Sequence, residues 1–507
     1  MINTGYRNGK YDLLIETVLT TLIVGFLIHG FCYSNLNLSH DSMYEMTGID
    51  INVLMTRGRF VIPLIMKFNS LLLPWFNGLI SLSVFGVAYY FLFDALIIKN
   101  RIVRLFVIGC LLTDRSFVML TSTYLQDVIY YAIACLLASV SVWIMIKKTS
   151  WRLLASVLIV LSLGVYQSYI QMIVILMSAS YLSDLLNKSD RISVIARSIK
   201  DMATIGSGMI VYFVIYKIIM HFGNYVDPFP EWKNQPSNAV ITSLSEIKTR
   251  IITCLDFELD YIVHFSGDNS ILGCVILFLI VVITSVLFIV ICDHFKIATD
   301  AFLICILLFL LFPFESGFIL FFANLAHDIM YNSFAFISFW AACLVQLYFD
   351  SDGLQKRRIN HHLIMALAIV SGTLIFINSM FANRVYVKKD LELKSTMALI
   401  NRMIDRIEQT DGYIVGETPV VVYGNFIFSP LVNTNSAFDY YGDSIRFSFA
   451  VTYSETLESY IHDYLNYPMN ISIPHENIND TDLADMPIFP SSGSVQNIDG
   501  TIFVRLS

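Results

Sequence analysis

The sequence contains few charged residues. Asp, Glu, Lys and Arg together make up 14% of its 507 residues, whereas soluble domains average about 25%. Hydrophobic residues make up 56% of the chain. A soluble globule of this size lacks the charge to cover its surface, so the composition excludes the soluble, fibrous and disordered classes. It predicts a polytopic α-helical membrane protein.

The short motifs of several enzyme classes are absent as well. The sequence has no P-loop, GxGxxG, HExxH or GxSxG motif, so nothing indicates a nucleotide-binding, zinc-protease or serine-hydrolase site. It has no CxxC pair, and its His residues are not spaced like zinc ligands. We therefore expect no metal and no bound cofactor, and nothing supports nucleic-acid binding.

The charge that is present divides the chain in two. The formal net charge is −8, and all of it comes from residues 383–507, which hold 16 acidic and 8 basic side chains. Residues 1–382 hold 24 of each sign and all eight Cys residues. This division predicts a neutral membrane body over 1–382 and an acidic soluble domain over 383–507.

Apolar runs predict about eleven membrane-spanning helices, because a bilayer core about 30 Å thick needs roughly 20 apolar residues per helix. The pair between 153 and 186 is the weakest of these and is also compatible with one tilted helix. The predicted spans are 13–33, 75–98, 102–121, 125–146, 153–166, 168–186, 202–220, 271–293, 298–314, 331–349 and 363–382.

Lys and Arg in the connecting loops predict the orientation. One set of loops, with the N-terminus, holds sixteen positive residues, and the alternate set holds seven. The positive-inside rule therefore places the N-terminus in the cytoplasm, and an odd number of spans places the C-terminal domain outside. Two long segments, 35–74 and 221–270, are then also outside, the second with a predicted helix near 240–262. In the C-terminal domain, 389–408 predicts an amphipathic helix, and 419–428 and 501–506 predict strands, which together indicate a small α+β fold.

The first of these outside segments, residues 35–74, carries the strongest candidates for chemistry. Asp41 and Glu45 lie four residues apart and would share one face of a helix, where a carboxylate near apolar surface can act as a general base. Arg57, Arg59 and Lys67 follow, and arginine at a membrane surface suits a lipid phosphate. The alternatives are a solvated loop for the acids and interfacial snorkelling for the bases.

Other polar residues near the predicted outer ends of the spans are candidates for binding a sugar or a phosphate. Tyr, Gln and Asp side chains there can hydrogen-bond and stack on a sugar. The alternatives are the ordinary tyrosines of the membrane interface and a simple ion pair between Asp114 and Arg115. These candidates are Asp114, Arg115, Tyr124, Asp127, Tyr166, Gln167, Glu315 and Asp328.

The order of several features resembles a known family. These features are the Ser-His-Asp-Ser stretch at 39–42, Arg-Gly-Arg-Phe-Val-Ile-Pro at 57–63, Tyr-Gln-Ser-Tyr at 166–169, and the C-terminal stretches 489–495 and 499–506. Together they resemble the serotype-converting O-antigen glucosyltransferases of enteric bacteria and their phages, the glucosyl transferase II family within the C-type glycosyltransferase superfamily.

The resemblance implies a fold, a reaction and roles for some residues. The fold would be that of a C-type glycosyltransferase in the bacterial inner membrane, active on the periplasmic face. Glucose would move from undecaprenyl-phosphate glucose to a sugar of the lipid-linked O-antigen, with inversion, and companion proteins would make and flip the donor. Asp41 stands where the family has its base, with Glu45 as the nearest second carboxylate. Arg57, Arg59 and Arg115, with Lys67, would meet the donor phosphate.

Two other functions remain open from the sequence: a flippase or transporter for a lipid-linked sugar, and an O-antigen polymerase. The charges gather at one membrane face instead of the midplane, and no inverted repeat is visible, which disfavours a transporter. The soluble C-terminal domain disfavours a polymerase.

Overall fold

The fold is taken from a computed structural model of the chain. The structure describes residues 10–36, 38–39, 42, 50–66, 73–187, 189–227, 243–263, 271–318, 328–424, 454–472 and 485–506.

Most of the described residues are helical, as the apolar runs predict. The helices are α1 (Lys10–Ser34), α2 (Ile51–Thr56), α3 (Ile62–Ile65), α4 (Pro74–Ala95), α5 (Arg101–Thr113), α6 (Arg115–Thr123), α7 (Val128–Lys147), α8 (Arg152–Leu163), α9 (Tyr169–Leu186), α10 (Arg191–Gly223), α11 (Leu244–Val263), α12 (Ile271–Phe295), α13 (Thr299–Ser316), α14 (Ser338–Asp350), α15 (Asp352–Gln355), α16 (Arg358–Glu408) and α17 (Ser454–Ser459).

Among the described residues, eight helices are long and apolar enough to cross a bilayer, which indicates a membrane-embedded protein. Each of the eleven predicted spans coincides with helix, but α8 has only 12 residues, and the predicted span 102–121 is two helices. The break falls at Asp114, whose backbone is extended and whose carboxylate accepts a hydrogen bond from the Ser116 amide, so that it caps a new helix, α6. The number of crossings therefore stays a prediction.

Helices α1 and α4 pack closely because small residues lie between them. A Cβ atom on Gly86 of α4 would come within 2.8 Å of the Cα atom of Val18 in α1. A Cβ atom on Gly25 of α1 would likewise come within 2.5 Å of the Leu82 side chain of α4. Small residues at such contacts let two membrane helices approach and gain van der Waals contact.

Helix α16 is one continuous helix of 51 residues, where the sequence predicted a span at 363–382 and a separate helix at 389–408. The predicted boundary between residues 382 and 383 falls inside it. At 1.5 Å per residue its length is about 75 Å, more than twice a hydrocarbon core. The helix therefore belongs to both the membrane body and the C-terminal domain.

The end of α6 is bonded to α16 and α1 by buried polar groups. The Tyr386 hydroxyl lies 2.5 Å from Thr121 Oγ1 and 2.6 Å from His29 Nδ1. One turn further along α16, Lys389 Nζ donates to the carbonyl oxygen of Ser122. These bonds satisfy polar groups that lipid cannot satisfy, and they fix α16 against the body.

The C-terminal domain is α+β, as the sequence predicts. Its four described strands are β1 (Val420–Tyr423), β2 (Ile471–Ser472), β3 (Val495–Ile498) and β4 (Thr501–Arg505), in the order β2-β1-β4-β3. Strand β1 is parallel to both neighbours, and β3 and β4 form an antiparallel pair. The last turns of α16 cover this sheet, with Met403 and Ile407 packed in one core with Val420 and Ile502. Residues 425–428 of the first predicted strand lie outside the described residues.

The contact between α1 and α4 predicts a difference between two glycine variants. We expect Gly86→Ala to lower the melting temperature of the purified protein, because its Cβ meets backbone and overpacking costs about 1–3 kcal/mol. Gly206→Ala in α10 is the control: its Cβ meets nothing within 4 Å, and Ala favours a helix over Gly by about 0.5–1 kcal/mol. Equal melting temperatures for the two variants would contradict the packing described.

Candidate functional site

The segment that carries the predicted base is held at its described residues. Ser39 Oγ donates to the Thr123 carbonyl oxygen at the end of α6. Ser42 Oγ donates to Gln126 Oε1 at a distance of 2.8 Å. This part of the chain therefore lies against the connection from α6 to α7. Three predicted site residues lie outside the described residues: Asp41, Glu45 and Lys67.

Residues 57–60, here called the arginine turn, connect α2 to α3. Gly58 has φ of +72°, a conformation that glycine adopts without strain. Immediately after the turn, the Val61 amide donates to the Gly164 carbonyl oxygen between α8 and α9, at 2.9 Å. A Cβ atom on Gly164 would come within 2.6 Å of the Val61 side chain. The close approach of the two chain segments therefore needs glycine at position 164.

Side chains from α10 and from the α8–α9 connection hold the arginine turn in place. Gln167 Nε2 donates to the carbonyl oxygen of Arg57 at 2.7 Å and to the Tyr212 hydroxyl at 2.8 Å. Tyr212 in turn donates to the carbonyl oxygen of Gly58 at 3.2 Å. Gln167, which the sequence predicted to bind sugar, thus helps to hold the turn that carries the two arginines.

The two arginines of the turn have different surroundings. Arg57 forms an ion pair with Asp227, at 3.3 Å between Nη2 and Oδ1, and both side chains are at least nine-tenths buried. Arg59 is half-buried, and its guanidinium carbon lies 5.4 Å from the centre of the Tyr166 ring. No described residue forms an ion pair with Arg59, and its buried Nε has no hydrogen-bond partner there. Arg59 Nε therefore has no acceptor among the described residues, whereas the Arg57 guanidinium donates to Asp227.

Tyrosines surround the Arg59 guanidinium. Arg59 interacts electrostatically with Tyr131, Tyr166, Tyr124 and Asp127, and the rings of Tyr131 and Tyr166 meet edge to face at 4.6 Å. Burial lowers the pKa of the guanidinium, but these neighbours outweigh burial and raise the pKa above its usual value. Four of the predicted site residues, Arg59, Tyr124, Asp127 and Tyr166, are thereby brought together around a cation that stays charged.

Asp114 belongs to a second polar group. Its buried carboxylate accepts hydrogen bonds from the Tyr261 hydroxyl at 2.9 Å and from the Ser116 amide at 3.0 Å. Tyr261 comes from α11 and stacks on Tyr331, with ring centres 5.2 Å apart. Arg115, half-buried at the start of α6, interacts electrostatically with Asp114. The structure therefore places Asp114 and Arg115 beside α11.

The remaining two predicted residues lie elsewhere. Glu315 on α13 is buried, and its Oε1 accepts a hydrogen bond from Ser178 Oγ on α9 at 2.7 Å. Ser178 is nine residues along α9 from Tyr169, so this contact is separate from the group around Arg59. The backbone of Asp328 begins a 3₁₀ turn, Asp328–Tyr331, and its side chain lies outside the described residues.

Sequence reasoning missed several members of the two groups. Tyr131 and Tyr212 lie inside apolar helices, where a single tyrosine looks like part of the core. Tyr261 lies in a predicted helix of an outside segment, where no motif marks it. The available signal was the repeated occurrence of tyrosine within predominantly aliphatic helices.

No group of three or more His, Cys, Asp or Glu side chains that could hold a metal ion occurs within the part of the chain that the structure describes. The expectation that the reaction needs no metal stays a prediction.

Comparison with known families gives the class of protein. The family model of glucosyl transferase GtrII matches residues 30–345, a range that includes the arginine turn, the Arg59 tyrosines and the Asp114 group. The chain belongs to this family. The resemblance noted from the sequence is thus confirmed, and the protein is a membrane-embedded glycosyltransferase. No curated protein and no solved structure matches the chain.

The support of the arginine turn predicts that Gln167 matters for stability. We expect Gln167→Leu to lower the free energy of unfolding by about 1–3 kcal/mol, because it leaves the buried carbonyl oxygen of Arg57 without this donor. Gln355→Leu is the matched control, since Gln355 also donates to a backbone carbonyl at 2.7 Å but is exposed. Thermal unfolding in detergent measures both, and a control variant as unstable as Gln167→Leu would count against the role of the buried contact.

Proposed function

We propose that the protein transfers glucose from undecaprenyl-phosphate glucose to a sugar of the lipid-linked O-antigen. The reaction would take place at the periplasmic face of the bacterial inner membrane. Family membership supports glucose transfer and favours it over the flippase and polymerase alternatives. The single observation that carries the choice of donor is the state of Arg59, a charged guanidinium without an ion pair among the described residues.

A lipid phosphate fits Arg59 better than a neutral ligand does. A buried cation is costly unless an anion accompanies it, and a guanidinium presents a planar set of donors that matches phosphate oxygens. The hydroxyl groups of Tyr124, Tyr131 and Tyr166 can add donors to the same anion. Arg57, paired with Asp227, would contribute charge at longer range, and Lys67 and Arg115 are further candidates.

The proposed chemistry is one inverting displacement. Asp41 takes the proton of the acceptor hydroxyl while that oxygen forms a bond to the anomeric carbon of glucose. The bond from the anomeric carbon to the phosphate oxygen breaks, and undecaprenyl phosphate leaves with the electron pair. Cations on the phosphate stabilise the charge that develops on it, so the reaction needs one base and no nucleotide site. Glu45 is the proposed assisting carboxylate.

The position of the described neighbours of Asp41 supports this assignment. Ser39 and Ser42 bond to Thr123 and Gln126, and the next residues along the chain include Tyr124 and Asp127, which interact with Arg59. A base and a phosphate site would thus lie at the same α6–α7 connection. The proposed contacts to sugar are Asp114, Tyr124, Asp127, Tyr166, Gln167, Glu315 and Asp328.

The activity itself is tested by incubating the purified protein with polyprenyl-phosphate glucose and lipid-linked O-antigen. We expect a glucosylated product whose new linkage, read by NMR, has the anomeric configuration opposite to that of the donor. The same incubation with a nucleotide-linked glucose should give no product. Transfer from the nucleotide sugar alone would overturn the proposed donor.

Asp41→Asn is expected to lower kcat by about 10²–10⁴-fold, because a general base contributes that much, while the Kd for the glucosyl lipid stays unchanged. Asp50→Asn is the matched control in the same segment. Asp50 is exposed and caps α2 through its side chain, and Asn caps a helix equally well. Single-turnover rates of the two variants distinguish the roles, and full activity in Asp41→Asn would remove it as the base.

Arg59→Gln is expected to raise the Kd for polyprenyl-phosphate glucose by about 10–100-fold, the usual cost of losing a hydrogen bond to a charged group. Sugar-free polyprenyl phosphate should lose affinity by the same factor, since the lost contact is with phosphate. Arg101→Gln is the control, because Arg101 is largely exposed and pairs with Glu16 at 3.1 Å. An unchanged Kd in Arg59→Gln would contradict the phosphate site.

A further inference from the structure

A small pocket lies beside Asp114, between helices α4 to α7, helix α9 and the segment that precedes α14. We call it the Asp114 pocket. Its volume is about 20 Å³, which is room for about one water molecule or one hydroxyl group. Its lining includes Asp114, Asn332, Tyr169 and the rings of Phe117 and Phe336. The pocket is therefore apolar on most sides and polar at a few points.

Two of the polar side chains that line the pocket, Asp114 and Asn332, are hydrogen-bond acceptors with capacity left over. A carboxylate can accept at about four positions, and the described donors to Asp114 are the Tyr261 hydroxyl and Ser116. Asn332 Oδ1 is buried and has no hydrogen-bond partner among the described residues. The segment carrying Asn332 is held by Gln171, which donates to the Met330 carbonyl oxygen at 2.7 Å. A fixed acceptor without a donor is costly in a folded protein.

These acceptors define the chemistry of an occupant. A phosphate or carboxylate brings only acceptors and would be repelled by Asp114. A hydroxyl group brings a donor, and its carbon atom suits the phenylalanine walls. We propose that the Asp114 pocket takes one hydroxyl group of a hexose, either of the transferred glucose or of the acceptor sugar. This inference rests on the proposed function, because it assigns a sugar subsite to that reaction.

The position of the pocket relative to Arg59 fits a sugar bound next to a phosphate. The rings of Tyr166 and Tyr169 meet at 6.2 Å. Tyr166 faces Arg59, and Tyr169 lines the pocket. Two adjacent tyrosines thus connect the Arg59 group, which offers hydrogen-bond donors, to the Asp114 pocket, where Asp114 and Asn332 offer hydrogen-bond acceptors. A glycosyl phosphate has the matching pattern, because its phosphate oxygens accept hydrogen bonds and its hydroxyl groups donate them.

Two variants separate binding from folding. Asp114→Asn keeps an oxygen to cap α6, because Asn and Asp are equivalent caps, but it loses the charge and replaces one acceptor with a donor. Asn332→Ala removes an acceptor that has no partner among the described residues, so a purely structural account predicts an unchanged or higher melting temperature. Asp293→Asn, at the exposed end of α12, is the control for loss of a carboxylate.

The experiment measures transfer by the full-length protein in lipid nanodiscs, using polyprenyl-phosphate glucose and its 2-, 3-, 4- and 6-deoxy forms. We expect kcat/KM with intact substrates to fall at least tenfold in Asp114→Asn and about threefold in Asn332→Ala, with melting temperatures close to that of the wild type. If the occupant is a hydroxyl group of the transferred glucose, the wild type should use one of the deoxy substrates poorly. Asp114→Asn should use that deoxy substrate as well as it uses intact polyprenyl-phosphate glucose, because the variant and the deoxy substrate lack the same interaction.

If the occupant is a hydroxyl of the acceptor, the Kd for the glucosyl lipid stays unchanged in both variants and the KM for the lipid-linked O-antigen rises. Either pattern supports the inference. If the wild type is active but both variants keep its kcat/KM, the pocket holds a structural water only and the inference is wrong. Absence of transfer by the wild type would instead refute the proposed function, and the inference with it.

Discussion

The hydroxyl group of Tyr386 joins three helices that are far apart in sequence. It bonds to His29 of α1 and Thr121 of α6 from its own place on α16. All three side chains are fully buried, and the surrounding bilayer core offers no hydrogen-bond partners, so these groups bond to one another. With Lys389 bonded to Ser122 one turn further on, the end of α6 becomes a fixed point, and the parts of the candidate site are attached to it.

The arginine turn depends on a second set of fixed contacts. The Val61–Gly164 backbone bond and the two hydrogen bonds of Gln167 hold the turn against α8, α9 and α10. These contacts hold the turn through its backbone carbonyl and amide groups. Asp227 neutralises Arg57, whereas Arg59 faces tyrosine rings. The same short stretch therefore carries one arginine that is ion-paired and one that has no ion pair among the described residues, and the second is the proposed phosphate ligand.

The helices were largely predictable, but the partners of the site residues were not. Hydropathy locates α1, α4, α7, α9 and α12 because their apolar runs match the thickness of a bilayer. It misses the break at Asp114, since a single capping carboxylate leaves the average hydropathy of 102–121 almost unchanged. It also divides α16, because the change from apolar to charged composition near residue 383 looks like a boundary, although the backbone continues as helix.

For the candidate site, the sequence identified Arg59 as a candidate for binding phosphate and Asp114, Tyr124, Asp127 and Tyr166 as candidates for binding sugar. It could not tell that Arg57 pairs with Asp227, which is 170 residues away along the chain, while no described residue forms an ion pair with Arg59. Tyr261 and Asn332 were not identified for the same reason. Tyr261 reaches the α5–α6 break through its bond to Asp114, and Asn332 lines the same pocket as Asp114, and no local pattern encodes such long-range proximity.

The C-terminal domain is part of the site's support, although the family match ends at residue 345. Leu38 packs in the hydrophobic core of that domain with Leu399 and Ile400 of α16. The next residue, Ser39, bonds to Thr123 at the end of α6. The segment leading to Asp41 is thus fixed on one side by the membrane body and on the other by the C-terminal domain. A change in the C-terminal core at Leu38 would therefore be transmitted to Ser39 through the one peptide bond that joins the two residues.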